Sequence, residues 1–162
     1  MCIVRKRLSL SLLFIGAYML LVARPAFAQG GAGILAGISG DPTQFYFGGH
    51  VDVKEVVDKF WFRPNAEIGF GNNRTVFALN GEFAYFTPLK TKNDDWKVYL
   101  GGGPAVVIST LRGGPTNTTD TGPGFNFLVG LTRKQGLFAE IKAGALDSPG
   151  LKFGIGWAWS RR

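Results

Sequence analysis

Cysteine is almost missing from this chain: of 162 residues only Cys2 is one. That scarcity excludes a disulfide framework and a thiolate metal centre. Histidine is as rare, with His50 alone, and the carboxylates are dispersed, so an imidazole-based metal site has no partners. No cluster of basic residues marks a nucleic-acid surface. No stretch beyond residue 28 sustains the 3.6-residue period of an amphipathic helix, which removes bundles and α/β folds. The single long apolar run, residues 8–22, is about 15 residues, short of the ~20 that a membrane-spanning helix needs.

That run reads instead as the core of a signal peptide. Arg5, Lys6 and Arg7 precede it, and Ala26-Phe27-Ala28 follows with the small-x-small cleavage pattern. Cleavage is expected after Ala28, leaving Gln29 as the new N-terminus. Residues 1–28 are thus a signal peptide and 29–162 a single domain of 134 residues (162 less 28). Cys2 leaves with the peptide. So do four basic residues, Arg5, Lys6, Arg7 and Arg24, which lowers the formal charge from +7 to +3.

What the domain has in abundance is glycine, 23 of the 24 in the chain, since only Gly16 lies in the signal. Most fall at alternate positions inside apolar stretches, where a linker would have none. The last twelve residues show the pattern: Leu151-Lys152-Phe153-Gly154-Ile155-Gly156-Trp157-Ala158-Trp159-Ser160-Arg161-Arg162. From 151 to 159 the odd positions are large and apolar, the even ones small or charged. In a strand these two sets occupy opposite faces.

Eight extended segments follow the same rule: 33–39, 44–54, 60–71, 75–86, 96–110, 124–132, 137–146 and 151–159. Asn72-Asn73 suits a two-residue hairpin, because both residues tolerate positive φ. Residues 88–95 read as a polar connection, 111–123 as a long loop rich in Gly, Thr, Asn and Pro, and 55–59 as one short helical turn. One face is expected to carry Phe45, Phe47, Val51, Val53, Ala66, Ile68, Phe70, Phe77, Leu79, Phe83, Tyr85, Val98, Leu100, Val106, Ile108, Phe125, Phe127, Val129, Leu131, Leu137, Ala139, Ile141, Phe153, Ile155 and Trp157. The other carries Tyr46, His50, Asp52, Arg63, Asn65, Glu67, Asn80, Glu82, Tyr99, Asn126, Glu140, Lys142 and Lys152, interleaved with Gly and Ala.

A soluble β-sandwich and a membrane barrel both generate this alternation, with opposite faces in water. The uniformity of the apolar face and its aromatic ends favour lipid. With both termini of an even-stranded outer-membrane barrel in the periplasm, Phe60, Trp61, Phe62, Tyr85, Phe86, Trp96, Trp157 and Trp159 fall near the periplasmic rim, and Phe45, Tyr46 and Phe47 near the outer rim. Aromatic side chains collect at such lipid–water boundaries.

The segments Asn65-Ala66-Glu67-Ile68-Gly69-Phe70-Gly71, Trp96-Lys97-Val98-Tyr99-Leu100-Gly101-Gly102-Gly103-Pro104 and the terminal 151–159 resemble the small eight-stranded outer-membrane β-barrel family of OmpA and OmpX. The resemblance covers the whole domain. It implies an all-β, eight-stranded antiparallel up-and-down transmembrane barrel in a bacterial outer membrane, surrounded by lipid and inserted by barrel-assembly machinery. Members usually end in Phe or Trp; here Trp159 is followed by Ser160-Arg161-Arg162.

An eight-stranded barrel has room inside only for side chains. If Asn72-Asn73 makes the tight turn, positions summing to 145 face each other, which sets Asn65 against Asn80 and Arg63 against Glu82. Together with Glu67, Glu140, Lys142, Lys152, His50 and Asp52 they form the expected polar network of the lumen, a salt-bridged plug, with Glu82 holding the Arg63 charge. His50 and Asp52 share the inner face, but Ser39 and Ser109 lie away from them, and no catalytic triad assembles. No catalytic residue, cofactor or metal is expected. Two other readings stand beside this one: a lipid-modifying enzyme on the same scaffold, and a secreted lipocalin-like carrier with the apolar set inside. The sequons at Asn73 and Asn117 are coincidental in a bacterial barrel, and no loop partner is identifiable.

Overall fold

A computed structural model describes residues 30–87, 96–113 and 116–160, so the signal segment 1–28 and the connection 88–95 lie outside the described residues. Nine strand segments are present among them: β1 (Gly31–Gly40), β2 (Thr43–Asp52), β3 (Lys54–Val57), β4 (Phe60–Gly71), β5 (Arg74–Phe86), β6 (Trp96–Leu111), β7 (Thr118–Arg133), β8 (Leu137–Leu146) and β9 (Leu151–Ser160). Apart from β2 and β3, sequence neighbours pair antiparallel, β9 returns to β1, and β2 pairs with β4. The sheet therefore closes on itself. β2 and β3 are two parts of one stave interrupted at Val53, so the barrel has eight staves.

The hydrogen-bond registers define its tilt. From Phe153 one row of partners runs through Ile141, Val129, Leu100 and Tyr85 to Phe60, and in the other direction through Ile38 and Phe45 to Phe70. The two arms reach β4 ten residues apart, so the staves are strongly inclined to the barrel axis. Every member of this row is apolar. Ten steps of ~3.3 Å at a tilt of ~40° make the encircling apolar band about 25 Å tall, the height a bilayer core demands.

Inside and outside are divided as the alternation predicts. The outward set is exposed or half-exposed throughout, Phe127 to 60% and Leu79 to 50%. The inward set is buried, with Asp52 half-buried at its end. Asn72 and Asn73 adopt φ of 48° and 55° and form the expected tight turn, closing the ladder at Gly71–Arg74. At the end where β1 begins and β9 ends (the near end) the wall carries Tyr85, Trp157 and Trp159, with Phe60 and Phe62 packed on Phe83. Phe45, Phe70 and Phe125 mark the far end.

Four expectations are corrected. Residues 55–59 are not a helical turn: Val56 and Val57 belong to β3, whose β-branched side chains suit a strand, and Lys59 turns the chain at φ 65°. The loop 111–123 is mostly strand, because β6 and β7 stay paired out to Leu111–Thr118. Its threonines favour a strand, and Pro123, which lacks a donor, sits where β8 has already ended its pairing. Tyr46 is buried in the lumen and does not belong to the outer aromatic rim. Trp61 has the parity of Arg63 and so stands on the lumen side of β4, leaving Phe60 and Phe62 as the boundary aromatics there.

Candidate functional site

The polar lumen is assembled from seven staves by parity alone: every second residue of an inclined strand points to the axis. β2 supplies His50 and Asp52, β4 Arg63, Asn65 and Glu67, β5 Asn80 and Glu82. From the other side come Tyr99 of β6, Asn126 of β7, Glu140 and Lys142 of β8, and Lys152 of β9. Glycines make room for the larger rings. A Cβ at Gly130 would collide with Tyr99, at Gly33 with His50, and at Gly156 with Phe138.

Lys142 is the hub. Its Nζ donates to Glu67 Oε1 at 2.7 Å and to Glu82 Oε1 at 2.9 Å, and lies 3.3 Å from Glu140 Oε1. Lys152 Nζ donates to the second Glu67 oxygen at 2.6 Å and lies beneath the Tyr46 ring. The amides extend the network. Asn65 donates to Glu82 Oε2 at 2.5 Å, Asn80 donates to Asn65, and Asn126 donates to Asn80 at 2.8 Å. Tyr99 Oη donates to Glu140 Oε2 at 2.9 Å. Three cations and four carboxylates are thus interleaved in one connected set, the arrangement under which buried charge persists.

Arg63 departs from the predicted pairing. It does face Glu82 in the ladder, but its guanidinium meets Glu140 Oε2 at 3.4 Å and Asp52 Oδ1 at 3.6 Å, while Glu82 binds Lys142 and Asn65. Glu140 reaches Arg63 from the opposite side of the lumen, whereas the Glu82 carboxylate is already engaged by Lys142 and Asn65. Arg63 also donates to the His50 ring at 3.1 Å and lies 5.1 Å from the Tyr99 ring centre and 5.4 Å from that of Phe138.

Apolar clusters flank the network. Towards the far end Val76 and Ala78 of β5 pack beside Ala105 and Val107 of the adjacent β6. Towards the near end Ala84, Tyr99 and Leu128 pack with Phe86, and Leu35 and Phe138 fill the remaining side. Beyond the far-end cluster lies a small vestibule of about 230 Å³, walled by Arg74, Ser109, Asp120 and Asp147.

The residues weighed for catalysis do not converge. His50 is held by Arg63 and by the edge of Phe138, and Asp52 by Arg63. Ser39 Oγ donates to the Pro42 carbonyl at 2.5 Å, and Ser109 opens on the vestibule. The far-end apolar cluster is the feature missed by reading residues one at a time. Its signal was present in Val76-x-Ala78 and Ala105-x-Val107, the inward positions where the polar set gives out.

No protein-family model and no curated protein sequence matches the chain. Solved structures do. The N-terminal β-barrel domain of Pseudomonas aeruginosa OprF is similar with a TM-score of 0.57 at 13% identity, over 82% of this chain and 100% of that one. Neisserial surface protein A, NspA, is similar with a TM-score of 0.55 at 10% identity, over 80% of this chain and 92% of that one. At these identities the likeness is one of architecture, and it is the architecture that the sequence pattern implied: a closed, eight-stranded antiparallel β-barrel.

Proposed function

We propose that this chain is a bacterial outer-membrane barrel, exported by a signal peptide cleaved after Ala28, with a structural role or one exercised through its far-end loops. The observation that carries the reading is the inverted distribution of polarity: Phe127, Leu79 and Ile141 stand exposed while Lys142 and Glu82 are buried to within 1%. In water that arrangement wastes the hydrophobic effect and desolvates charge; in a bilayer it does neither. The near end then faces the periplasm and the β6–β7 hairpin projects outside, carrying Thr118, Thr119 and Asp120. Lipid and the barrel-assembly machinery are the partners this implies.

The lumen acts as a plug and not as a pore. The connected ion network fills it, each charge held by partners across the lumen and none left free to line a conducting path among the described residues. A lipocalin-like carrier would need the apolar set inside, around a cavity. Enzymatic lipid modification would need His50 freed from Arg63 and brought to a hydroxyl at the membrane boundary.

The test is heat modifiability. The membrane fraction, dissolved in detergent, is run on SDS gels unheated and boiled. A boiling-dependent change in mobility supports the closed membrane barrel; a protein that stays in the soluble fraction and shows no change overturns the reading.

A further inference from the structure

The far mouth of the barrel is built from the ends of its hairpins. β6 and β7 stay paired there beyond the end of β8. Together with β5 their inward positions form two rows, Val76, Ser109 and Asp120, and further out Arg74, Leu111 and Thr118. Pro42 of the β1–β2 turn and Asp147 and Pro149 of the β8–β9 turn line the same cavity. The vestibule of about 230 Å³ so formed has Val76 and Val107, both buried, as an apolar floor.

The charged side chains lining it are Arg74, Asp120 and Asp147, and none of the ion pairs among the described residues involves them. Asp120 accepts only the N–H of Thr121, at 2.9 Å. Arg74 stands on β5 and Asp120 two strands away on β7, with Ser109 of β6 between them. Asp147 lies back against β7: its N–H donates to the Pro123 carbonyl at 3.2 Å, and a Cβ at Gly122 would overlap its carboxylate. Asp120 and Gly122 are successive inward positions of one strand, so the two carboxylates are neighbours and the cation faces them across β6. The frame is tied together. Gln44 Nε2 donates to the Arg74 carbonyl at 3.0 Å, Ser39 Oγ to that of Pro42 at 2.5 Å, and Gly150 N–H to that of Asp41 at 2.8 Å.

We propose that the vestibule binds a small zwitterion, an ammonium and a carboxylate joined by a short aliphatic chain. The ammonium sits between Asp120 and Asp147, the carboxylate meets the Arg74 guanidinium, and the chain crosses β6 over Ser109 with Val76 and Val107 beneath. A simple cation would answer the two carboxylates and leave Arg74 without a partner; a simple anion would do the reverse. Two strand spacings of ~4.8 Å set β5 and β7 about 10 Å apart, and a contact of ~2.8 Å at each end leaves about 4 Å for the chain. That span suits a few carbons, and the volume excludes larger solutes. Because the frame is held in the free protein, binding has little ordering to do. Entry from outside the cell rests on the outer-membrane reading; the site itself needs only the closed barrel.

The test is an NMR titration of the isotope-labelled barrel in micelles with γ-aminobutyrate, butylamine and butyrate, following the amide signals of Ser109, Asp120 and Asp147. γ-Aminobutyrate shifts them saturably, and butylamine and butyrate bind about tenfold more weakly. Arg74→Gln weakens γ-aminobutyrate about tenfold without weakening butylamine. Asp120→Asn with Asp147→Asn weakens it as much without weakening butyrate. Asp147→Asn alone replaces the double variant if that fails to fold. No saturable shift, equal affinity for the three probes, or variants that bind like the wild type overturn the site and leave only hydrated surface charges. Each sample is first checked for the boiling-dependent gel shift. An unshifted wild type refutes the membrane reading, whereas a shifted wild type that takes up no γ-aminobutyrate refutes the site alone.

Discussion

Lys142 and Arg63 divide the carboxylates of the lumen between them, and Glu140 is the one they share. Removing one partner of a buried ion pair strands the other, which typically costs about 3–5 kcal/mol, more than the pair itself contributes. The sharing predicts which pairs are coupled. In a double-mutant cycle, Arg63→Met with Glu140→Gln should show a coupling of roughly 1–3 kcal/mol, whereas Arg63→Met with Glu82→Gln, which connect only through Glu140 and Lys142, should show a clearly smaller one. Urea unfolding of the barrel in vesicles provides the stabilities. Coupling of Arg63 to Glu82 as strong as that to Glu140 would restore the pairing that the ladder alone suggests. Parity was enough to tell from the sequence that these side chains share the lumen. Their partners were not legible, because contacts across a lumen depend on the tilt, and the tilt depends on registers that only the closed barrel fixes.

At the scale of the strand, alternation decides nearly everything, and where it is strong the sequence was enough. The hairpin at Asn72-Asn73 illustrates this: two residues that tolerate positive φ fix a register of twelve pairs. Replacing both by Ala should lower stability by about 1–2 kcal/mol, while Asn73→Gly should be neutral, both read from the midpoint of the gel shift with temperature. Where local signals were weak, long-range pairing prevailed. Thr118 to Pro123 read as loop because Gly, Asn and Pro surround them, yet the ladder from β6 extends to Thr118. The apolar row gives a further prediction at this scale. Ile141 lies midway along the row between Phe60 and Phe70, so Ile141→Arg should cost about 2–4 kcal/mol. Thr119→Arg, beyond the far-end aromatics, should cost about 0–1 kcal/mol. Equal penalties at the two positions would mean that the band does not lie in lipid.

For the whole molecule the issue is which solvent each surface meets. A barrel with ions inside and Phe, Leu and Ile outside is a soluble fold reversed, and on the proposed reading its stability depends on the bilayer being its outer solvent. The fold and the division of its faces were legible because a period of two survives any uncertainty in strand boundaries. The biological partner was not, since the described far-end residues, Arg74, Thr118, Thr119, Asp120 and Asp147 among them, form no sequence motif that specifies a ligand. The inverted polarity itself can be measured directly, because the only cysteine, Cys2, lies in the segment expected to be removed. Val129→Cys and Thr119→Cys, each labelled with a fluorophore, would be folded into vesicles containing brominated phospholipid. The label at Val129 should be quenched by the bromines and shielded from a water-soluble quencher, with the reverse at Thr119. A label at Val129 that the aqueous quencher reaches and the bromines do not would contradict a lipid-facing wall.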